Sequence, residues 1–355
     1  MADNLRLTAI KSRHVVFFVA IAVAIFLNPC VTLARGAQDS TAAQAQHPLE
    51  AKTELVKLDV SVLDKEGKFV GGLEQKSFRV LDNGAERPII FFAPVETPAR
   101  IVVMIETSPA VYMIKDEHIA ASYALLNGLA EDDQVALVTY SDSPKELLPF
   151  TSDRAALQNA LVGNGNQYMM GMAALNLYDS ISSVVEGIAP APGKKAIVLL
   201  GTGLDSSRPE HFDALVQRLR TQDVVIFAVG LGGSLNDNSA PVSKAEKKAA
   251  KAKRDAAAAA GPTMLEKARA ALLSLATMTG GRAYFPASGQ DFASAYQEIA
   301  SAVRHQYVLG IAPQHDGQLH KLSVAVPDAA VAPHKSKGRA EFSVSARDGY
   351  IAPSP

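Results

Sequence analysis

The stretch Ile101-Val102-Val103-Met104-Ile105-Glu106, followed directly by Thr107-Ser108-Pro109-Ala110, decides the fold of this 355-residue chain. Five consecutive apolar residues, mostly β-branched, are typical of a strand that is buried on both faces. In an open α/β sheet, the loops at the carboxyl ends of the strands face a common crevice where ligands bind. We therefore expect this strand at the centre of a doubly wound sheet, with a candidate site at residues 106–110.

The rest of the central region alternates between strand and helix patterns. Apolar runs predict strands at residues 135–139, 196–200, 224–229 and 283–285, and apolar spacings of three to four predict helices at residues 114–129, 177–188, 209–220, 264–278 and 291–304. This alternation predicts a mostly parallel, Rossmann-like sheet over residues 99–304. A proline in residues 146–150 indicates an edge strand, and Ser152 is expected to cap the helix that follows it.

Two flanking segments, residues 54–95 and 305–350, carry the period-two alternation of half-buried strands. We expect the N-terminal and C-terminal strands to pair with each other in a small β-sandwich-like unit beside the α/β domain. Within the first segment, Asp82-Asn83-Gly84 predicts a hairpin turn between residues 78–81 and residues 88–92.

Residues 1–36 have the layout of a signal peptide. Three basic residues precede an apolar run at residues 15–27, and small residues follow. The chain is therefore expected to be exported, as a periplasmic, envelope-associated or secreted protein, and a retained N-terminal anchor is the alternative. The single cysteine, Cys30, lies in this leader, so a cleaved chain would hold no disulfide or thiolate site. Residues 37–53 are small and polar and are predicted to form a linker.

The formal net charge of −1 gives no electrostatic argument for binding nucleic acid. The one strongly charged segment is a Lys/Ala-rich insertion at residues 236–261, in which residues 244–255 hold six basic and two acidic side chains. Its default interpretation is a solvated helical excursion, and the alternative is a basic arm for an acidic partner or anionic lipid. Contact with a membrane is thus expected only through a retained leader or through this arm.

The central strand and Glu106-Thr-Ser-Pro-Ala110 resemble the first strand and the Asp-x-Ser-x-Ser loop of von Willebrand factor type A domains. Other motifs resemble the flanks of the exported type A-related proteins common in Acidobacteria: Val60-Ser-Val-Leu-Asp-Lys-Glu-Gly67, Gly72-Leu-Glu-Gln-Lys-Ser-Phe78, Asp82-Asn-Gly84, Gln306-Tyr-Val-Leu-Gly310 and Ala346-Arg-Asp-Gly-Tyr350. The resemblance extends from about residue 54 to residue 350. It implies the type A fold and a role in binding other proteins.

Type A domains bind a divalent cation at the carboxyl edge of the sheet through Asp, Ser, Ser, Thr and Asp. The resemblance places these five roles, in that order, on Glu106, Ser108, Ala110, Leu175 and Thr202. Alanine and leucine offer no side-chain oxygen, and threonine replaces a charge with a neutral hydroxyl. Because Mg²⁺ requires several hard oxygen ligands, we predict no tight metal and no cofactor here. The alternative is a Mg²⁺ site rebuilt from Glu106, Asp142 and Asp205.

No sequence motif of a known catalytic site is found. The nearest approach to a nucleophile elbow, Gly203-Leu-Asp-Ser206, has the wrong spacing. His305 is interpreted as a surface residue at a helix end, and His315 and His320 as part of a solvated hairpin with Asp316.

We therefore predict a non-enzymatic, exported interaction protein with an unidentified protein partner. The candidate contact residues are Glu106, Thr107, Ser108, Asp142 and Asp205. An envelope scaffold that uses the β extensions and the basic insertion is the first alternative. A hydrolase that uses Ser206 or Ser108 is a more distant one.

Overall fold

A computed structural model describes residues 54–163, 174–231, 262–327 and 342–355, and these residues form three sheets. The predicted signal peptide (1–36), linker (37–53) and basic insertion (236–261) lie outside the described residues. No helix within the described ranges has the length and apolar character needed to cross a membrane.

The central sheet has six strands in the order β10-β9-β8-β5-β6-β7. Their bounds are β5 (Ala99–Glu106), β6 (Gln134–Tyr140), β7 (Pro144–Thr151), β8 (Lys194–Gly201), β9 (Val225–Gly230) and β10 (Ala283–Tyr284). All neighbours are parallel except β6 and β7, which pair antiparallel. The predicted edge strand with its proline is β7. The quoted stretch is the inner strand β5, as predicted.

Helices cover both faces of this sheet. They are α1 (Pro109–Tyr112), α2 (Lys115–Gly128), α3 (Arg154–Gly163), α4 (Leu177–Ile188), α5 (Pro209–Thr221), α6 (Met264–Thr279) and α7 (Gly289–Arg304). Alternate residues of β5 point to opposite sides. Ile101 and Val103 belong to a core with α2, α3 and α7, whereas Val102 and Met104 belong to a core with α4, α5 and α6. This arrangement is the doubly wound fold that the apolar run predicted.

The cap of α3 differs from the prediction. Asp153, not Ser152, caps this helix, because its Oδ1 accepts hydrogen bonds from the amides of Ala155 (2.9 Å) and Ala156 (3.1 Å). A carboxylate at this position also interacts favourably with the positive end of the helix dipole.

The flanking segments form two four-stranded antiparallel sheets with the orders β13-β1-β11-β4 and β14-β12-β2-β3. Their strands are β1 (Val56–Asp64), β2 (Arg79–Asp82), β3 (Ala85–Arg87), β4 (Phe91–Val95), β11 (Gln306–Ile311), β12 (Leu319–Ala325), β13 (Phe342–Ser345) and β14 (Gly349–Ile351). Each sheet mixes N-terminal and C-terminal strands, and one apolar core joins the two sheets. The predicted sandwich of N-terminal and C-terminal strands is thus confirmed.

The predicted hairpin has a different second strand. Asn83 (φ 50°) and Gly84 (φ 85°) form its two-residue turn, and both need a positive φ in the turn type that matches the twist of paired strands. The strand after the turn is β3, at Ala85–Arg87, whereas Phe91–Val95 crosses to the other sheet and pairs with β11. The residues between them include Pro88, which has no amide to donate to a ladder.

The C-terminal motif Ala346-Arg-Asp-Gly-Tyr350 connects the sandwich to the α/β domain. The guanidinium of Arg347 donates to the carbonyl of Arg220 at 3.1 Å, at the end of α5, and Asp348 forms an ion pair with the Arg220 side chain. A cation at a helix C-terminus satisfies carbonyls that have no partner within the helix. The motif therefore fixes the last strands against α5.

Candidate functional site

The carboxyl edge of the central sheet carries most of the residues that the sequence singled out. Glu106, Tyr140 and Gly201 are the last residues of the neighbouring strands β5, β6 and β8. Thr202 follows β8 directly. Since these strands are parallel, their ends lie side by side, and the side chains meet at one place.

The carboxylate of Glu106 is fully buried (0% exposed) and is bound within the protein. Its Oε2 accepts hydrogen bonds from the amide of Thr202 (2.8 Å), the hydroxyl of Thr202 (2.9 Å) and the hydroxyl of Tyr140 (3.2 Å). Burial, together with the negative charge of Glu106, raises the pKa of Tyr140 well above its usual value, so this phenol remains a donor. We call Glu106, Tyr140 and Thr202 the carboxylate cluster.

Gly201 makes room for this cluster. A Cβ atom built on Gly201 would lie 2.6 Å from Glu106 Oε2 and would also collide with the hydroxyl of Tyr140. The glycine at the end of β8 therefore accommodates the extra methylene that glutamate carries relative to aspartate.

The other positions matched to metal ligands have structural roles. Ser108 caps α1, where its Oγ accepts from the amide of Val111 at 3.4 Å. Ala110 packs against the apolar core of the sheet. Leu175 exchanges hydrogen bonds with Ser206 through its backbone, and these bonds join the loop before α4 to the loop after β8.

These residues do not fit a Mg²⁺ site. Two of the five positions lack a side-chain oxygen, and Thr202 donates to both carboxylate oxygens of Glu106. Mg²⁺ requires a near-octahedral set of oxygens at about 2.1 Å, and a carboxylate that is held by internal donors is not free to turn toward an ion.

The alternative site of Glu106, Asp142 and Asp205 is not assembled either. Asp142 accepts hydrogen bonds from the hydroxyls of its two neighbouring serines. Asp205 accepts from Ser207 and from the amide of Tyr178 (3.0 Å), and thereby holds the start of α4. Within the described ranges, no group of three or more His, Cys, Asp or Glu residues is placed to hold a metal.

The five candidate contact residues differ in their exposure to solvent. Glu106, Thr107 and Ser108 are buried, so they support the loop and do not face a partner in this conformation. Asp142 is exposed and Asp205 is partly exposed.

Sequence reasoning missed two exposed residues: Tyr112, the last residue of α1, and Met113, its C-cap. Tyr112 is 38% exposed and Met113 is 76% exposed. The sequence did offer a signal for them, because Tyr112 and Met113 follow shortly after Pro109 in the loop. Together with Asp142 and Asp205, they form what we call the edge surface.

The serines proposed for a hydrolase lack a histidine partner in the described part of the chain. Ser108 Oγ accepts from the Val111 amide, and Ser206 Oγ accepts from the Leu175 amide at 3.1 Å. The buried histidine of the domain, His118, lies elsewhere: its Nδ1 is 2.9 Å from the hydroxyl of Tyr296 on α7. Burial lowers the pKa of His118 to about 3, so it is neutral at physiological pH.

The prediction of a solvated hairpin is wrong for His320. This ring is buried in the sandwich between two carboxylates, with Nδ1 at 2.6 Å from Asp82 and Nε2 at 3.1 Å from Asp316. Burial alone would lower the pKa of His320, but the hydrogen bonds to these carboxylates outweigh it and raise the pKa above its usual value. His315 is exposed, 3.3 Å from Glu54, as expected for a surface residue.

The sheet order, the helices on both faces and the loop cluster at the carboxyl edge define a doubly wound α/β domain. Residues 101–260 match the family model of the von Willebrand factor type A domain. The α/β domain thus has the type A fold, and two additional antiparallel sheets flank it. Domains of this family commonly mediate protein interactions.

Many solved structures are similar to this chain at low identity, and three of them illustrate the range. An aerotolerance-related membrane protein from Bacteroides fragilis is 14% identical (TM-score 0.42), with 58% of this chain and 98% of that chain covered. A von Willebrand factor type A protein from Catenulispora acidiphila is 12% identical (TM-score 0.41), with coverages of 85% and 75%. Proximal thread matrix protein 1 from the mussel byssus is 14% identical (TM-score 0.40), with coverages of 61% and 49%. No curated protein matches the sequence.

Proposed function

We propose that this chain is an exported, non-enzymatic interaction protein that binds a protein partner through the edge surface without a bridging metal. The observation that carries the proposal is the carboxylate cluster. A metal bridge requires a carboxylate with oxygens that are free to bind the ion, whereas both oxygens of Glu106 accept hydrogen bonds from Thr202 inside the protein.

The edge surface supplies contacts of another kind. Met113 and Tyr112 offer exposed apolar area, and Asp142 and Asp205 offer acidic groups in other loops at the carboxyl edge of the sheet. Exposed apolar side chains with polar neighbours are typical of protein-binding surfaces, and methionine adapts easily to a partner's shape. A partner with an apolar pocket and basic residues around it would complement this surface.

Export and the absence of catalysis belong to the same proposal. Export rests on the basic and apolar layout of residues 1–36, which favours a periplasmic, envelope-associated or secreted location. The non-enzymatic assignment is supported by the roles of Ser108 and Ser206, whose hydroxyls serve a helix cap and a loop contact.

Calorimetric titration with Mg²⁺ and Mn²⁺ tests the metal-independent part of the proposal, together with thermal melts with and without a chelator. We expect no heat of binding and an unchanged melting temperature. Micromolar binding with a melt shift that Glu106→Gln abolishes would show that the carboxylate opens to a metal, and would refute metal independence.

Partner capture from the cell envelope tests the edge surface, with two matched variants. Met113→Glu places a charge on the edge surface, and Leu319→Glu places the same charge at an exposed apolar residue of the sandwich (58% exposed). We expect one protein to co-purify with the wild type and with Leu319→Glu, but not with Met113→Glu, whether or not a chelator is present. A partner retained by Met113→Glu, or released by the chelator, would contradict the proposal.

A further inference from the structure

A large cavity lies at the opposite edge of the central sheet from the edge surface. It separates the outer face of the sheet β13-β1-β11-β4 from the amino ends of β8 and β9, and has a volume of about 700 Å³. Its lining includes the apolar Leu55, Phe91 and Val308 and the basic Lys57, Lys194 and Lys195. This volume lies within the range of small-molecule sites, which often form where two structural units meet.

One wall of the cavity is apolar. Phe91 and Leu55 are 45% and 42% exposed, and the buried Val308 lies between β1 and β4 on the same sheet face. Gly310 keeps this wall open, because a Cβ built on it would lie 2.9 Å from the Cβ of Phe91 and 3.4 Å from the side chain of Leu55. An apolar body of a ligand could therefore contact all of these residues.

The rest of the lining carries three lysines and two carboxylates: Lys57 and Asp59 lie on β1, in the same sheet as the apolar wall, and Lys194, Lys195 and Asp223 lie at the amino ends of β8 and β9. The ammonium of Lys57 binds both carboxylates, Asp59 at 3.3 Å and Asp223 at 3.2 Å. Lys194 donates to three backbone carbonyls, and Lys195 donates to two. Since an ammonium has three donors, Lys194 is saturated, whereas Lys57 and Lys195 each retain one donor among the described residues.

The charge balance of this polar part of the lining favours an anion. Three ammonium groups face two carboxylates, and both carboxylates are already paired with Lys57. Burial raises the pKa of Asp59, although the ammonium of Lys57 opposes this effect. Burial lowers the pKa of Lys194 to about 8, so this lysine remains mostly protonated at neutral pH.

We propose that this cavity binds a small amphiphilic carboxylate. Its hydrocarbon or aromatic body packs against Leu55, Phe91 and Val308, and its carboxylate accepts hydrogen bonds from Lys57 and Lys195. The site is separate from the edge surface, because the length of β5 places the two about 23 Å apart at about 3.3 Å per residue. It thus adds a ligand site to the protein-binding role and does not depend on that role.

Titration with three probes of equal chain length tests the proposal: decanoate and decylamine below their micelle-forming concentrations, and decanol below its solubility limit. We expect decanoate to bind one site per chain and about tenfold tighter than decanol, because charge-assisted hydrogen bonds are stronger than neutral ones. Decylamine should bind most weakly. Equal binding of decanoate and decanol, tighter binding of decylamine, or no binding of decanoate would each overturn the proposal.

Variants with a close control locate the site. Phe91→Ala removes the apolar wall, whereas Ile90→Ala changes a neighbouring residue of similar exposure (49%) that does not line the cavity. We expect at least about a tenfold loss of decanoate affinity in the first variant and none in the second. Lys57→Met should remove the preference for decanoate over decanol, and Lys195→Met provides the same test if loss of the Lys57 ion pairs prevents folding. A preference that survives in both folded lysine variants would refute the assignment of the headgroup.

Discussion

Replacing Thr202 with valine is the most direct perturbation of the carboxylate cluster. The side chain keeps its shape but loses the hydroxyl, which donates to Glu106 at 2.9 Å and accepts from the amide of Leu204 at 3.2 Å. The carboxylate retains the Thr202 amide (2.8 Å) and the Tyr140 hydroxyl (3.2 Å) as donors. The substitution therefore weakens the cluster without leaving the buried acid unpaired.

The expected loss follows from the two hydrogen bonds. A hydrogen bond to a charged group contributes about 1.5–3 kcal/mol to the free energy of unfolding, and an ordinary one about 0.5–1.5 kcal/mol. Thr202→Val should thus lower the free energy of unfolding by about 2–4.5 kcal/mol. Thr107→Val is the matched control, because Thr107 is equally buried but donates to a neutral acceptor, the carbonyl of Tyr140, at 3.2 Å. It should cost about 0.5–1.5 kcal/mol.

Urea unfolding, followed by circular dichroism and by tyrosine fluorescence, measures both losses. Coincident transitions from the two probes would justify a two-state treatment, and an unchanged m value would allow the midpoints to be converted to free energies. Equal losses in Thr202→Val and Thr107→Val, or a larger loss in the control, would refute the conclusion that the threonine hydroxyl holds a buried carboxylate.

Three further outcomes test other parts of the structure. His320→Ala should cost about 3 kcal/mol at low pH, because it leaves two carboxylates without their partner. Since the folded pKa of His320 is raised, the part of this cost that depends on its protonation should be complete below the unfolded pKa of about 6.5 and be lost as the pH rises through the folded pKa. Urea unfolding of both proteins from pH 5 to pH 9 measures the cost, and a cost that does not fall with rising pH would contradict the reasoning. Gly201→Ala should cost at least about 2 kcal/mol, because the new Cβ collides with the buried carboxylate of Glu106. The control Gly187→Ala in α4 meets no atom within 4 Å and should stabilise the helix by about 0.5–1 kcal/mol. Thermal melts that rank the two variants in the opposite order would be inconsistent with the geometry of the carboxylate cluster. Asp153→Ala should cost about 1 kcal/mol, because its carboxylate caps α3, and Ser152→Ala should cost much less. Thermal melts measure both losses, and equal melting temperatures for the two variants would contradict the assignment of Asp153 as the cap.

Much of the α/β domain could be predicted because its signals are local. The run at residues 101–105 requires two apolar environments, and a strand between two layers of helices supplies both. Gly280, which ends α6 with a φ of 86°, follows the same logic, since few residues other than glycine adopt this conformation readily. The cap of α3 was predicted wrongly because Ser152 and Asp153 are adjacent and both residue types are common helix caps.

The candidate site was only partly predictable. The chemistry of Ala110 and Leu175 alone predicts a weakened metal site, because neither side chain contains oxygen. What Glu106 does instead depends on Thr202 and Tyr140, which lie on other strands. A glutamate after a strand looks the same in sequence whether it faces solvent or is buried among donors.

The sequence by itself determined the alternation of strands and helices, the edge at which the loops meet and the loss of metal ligands, because these follow from side-chain chemistry and short spacings. Only the tertiary structure decided which polar groups are paired. It brought His320 between Asp82 and Asp316, and Glu106 beneath Thr202, across long separations in the chain. Hydrogen bonds act over about 3 Å, and no periodicity encodes contacts between residues that the fold alone brings together.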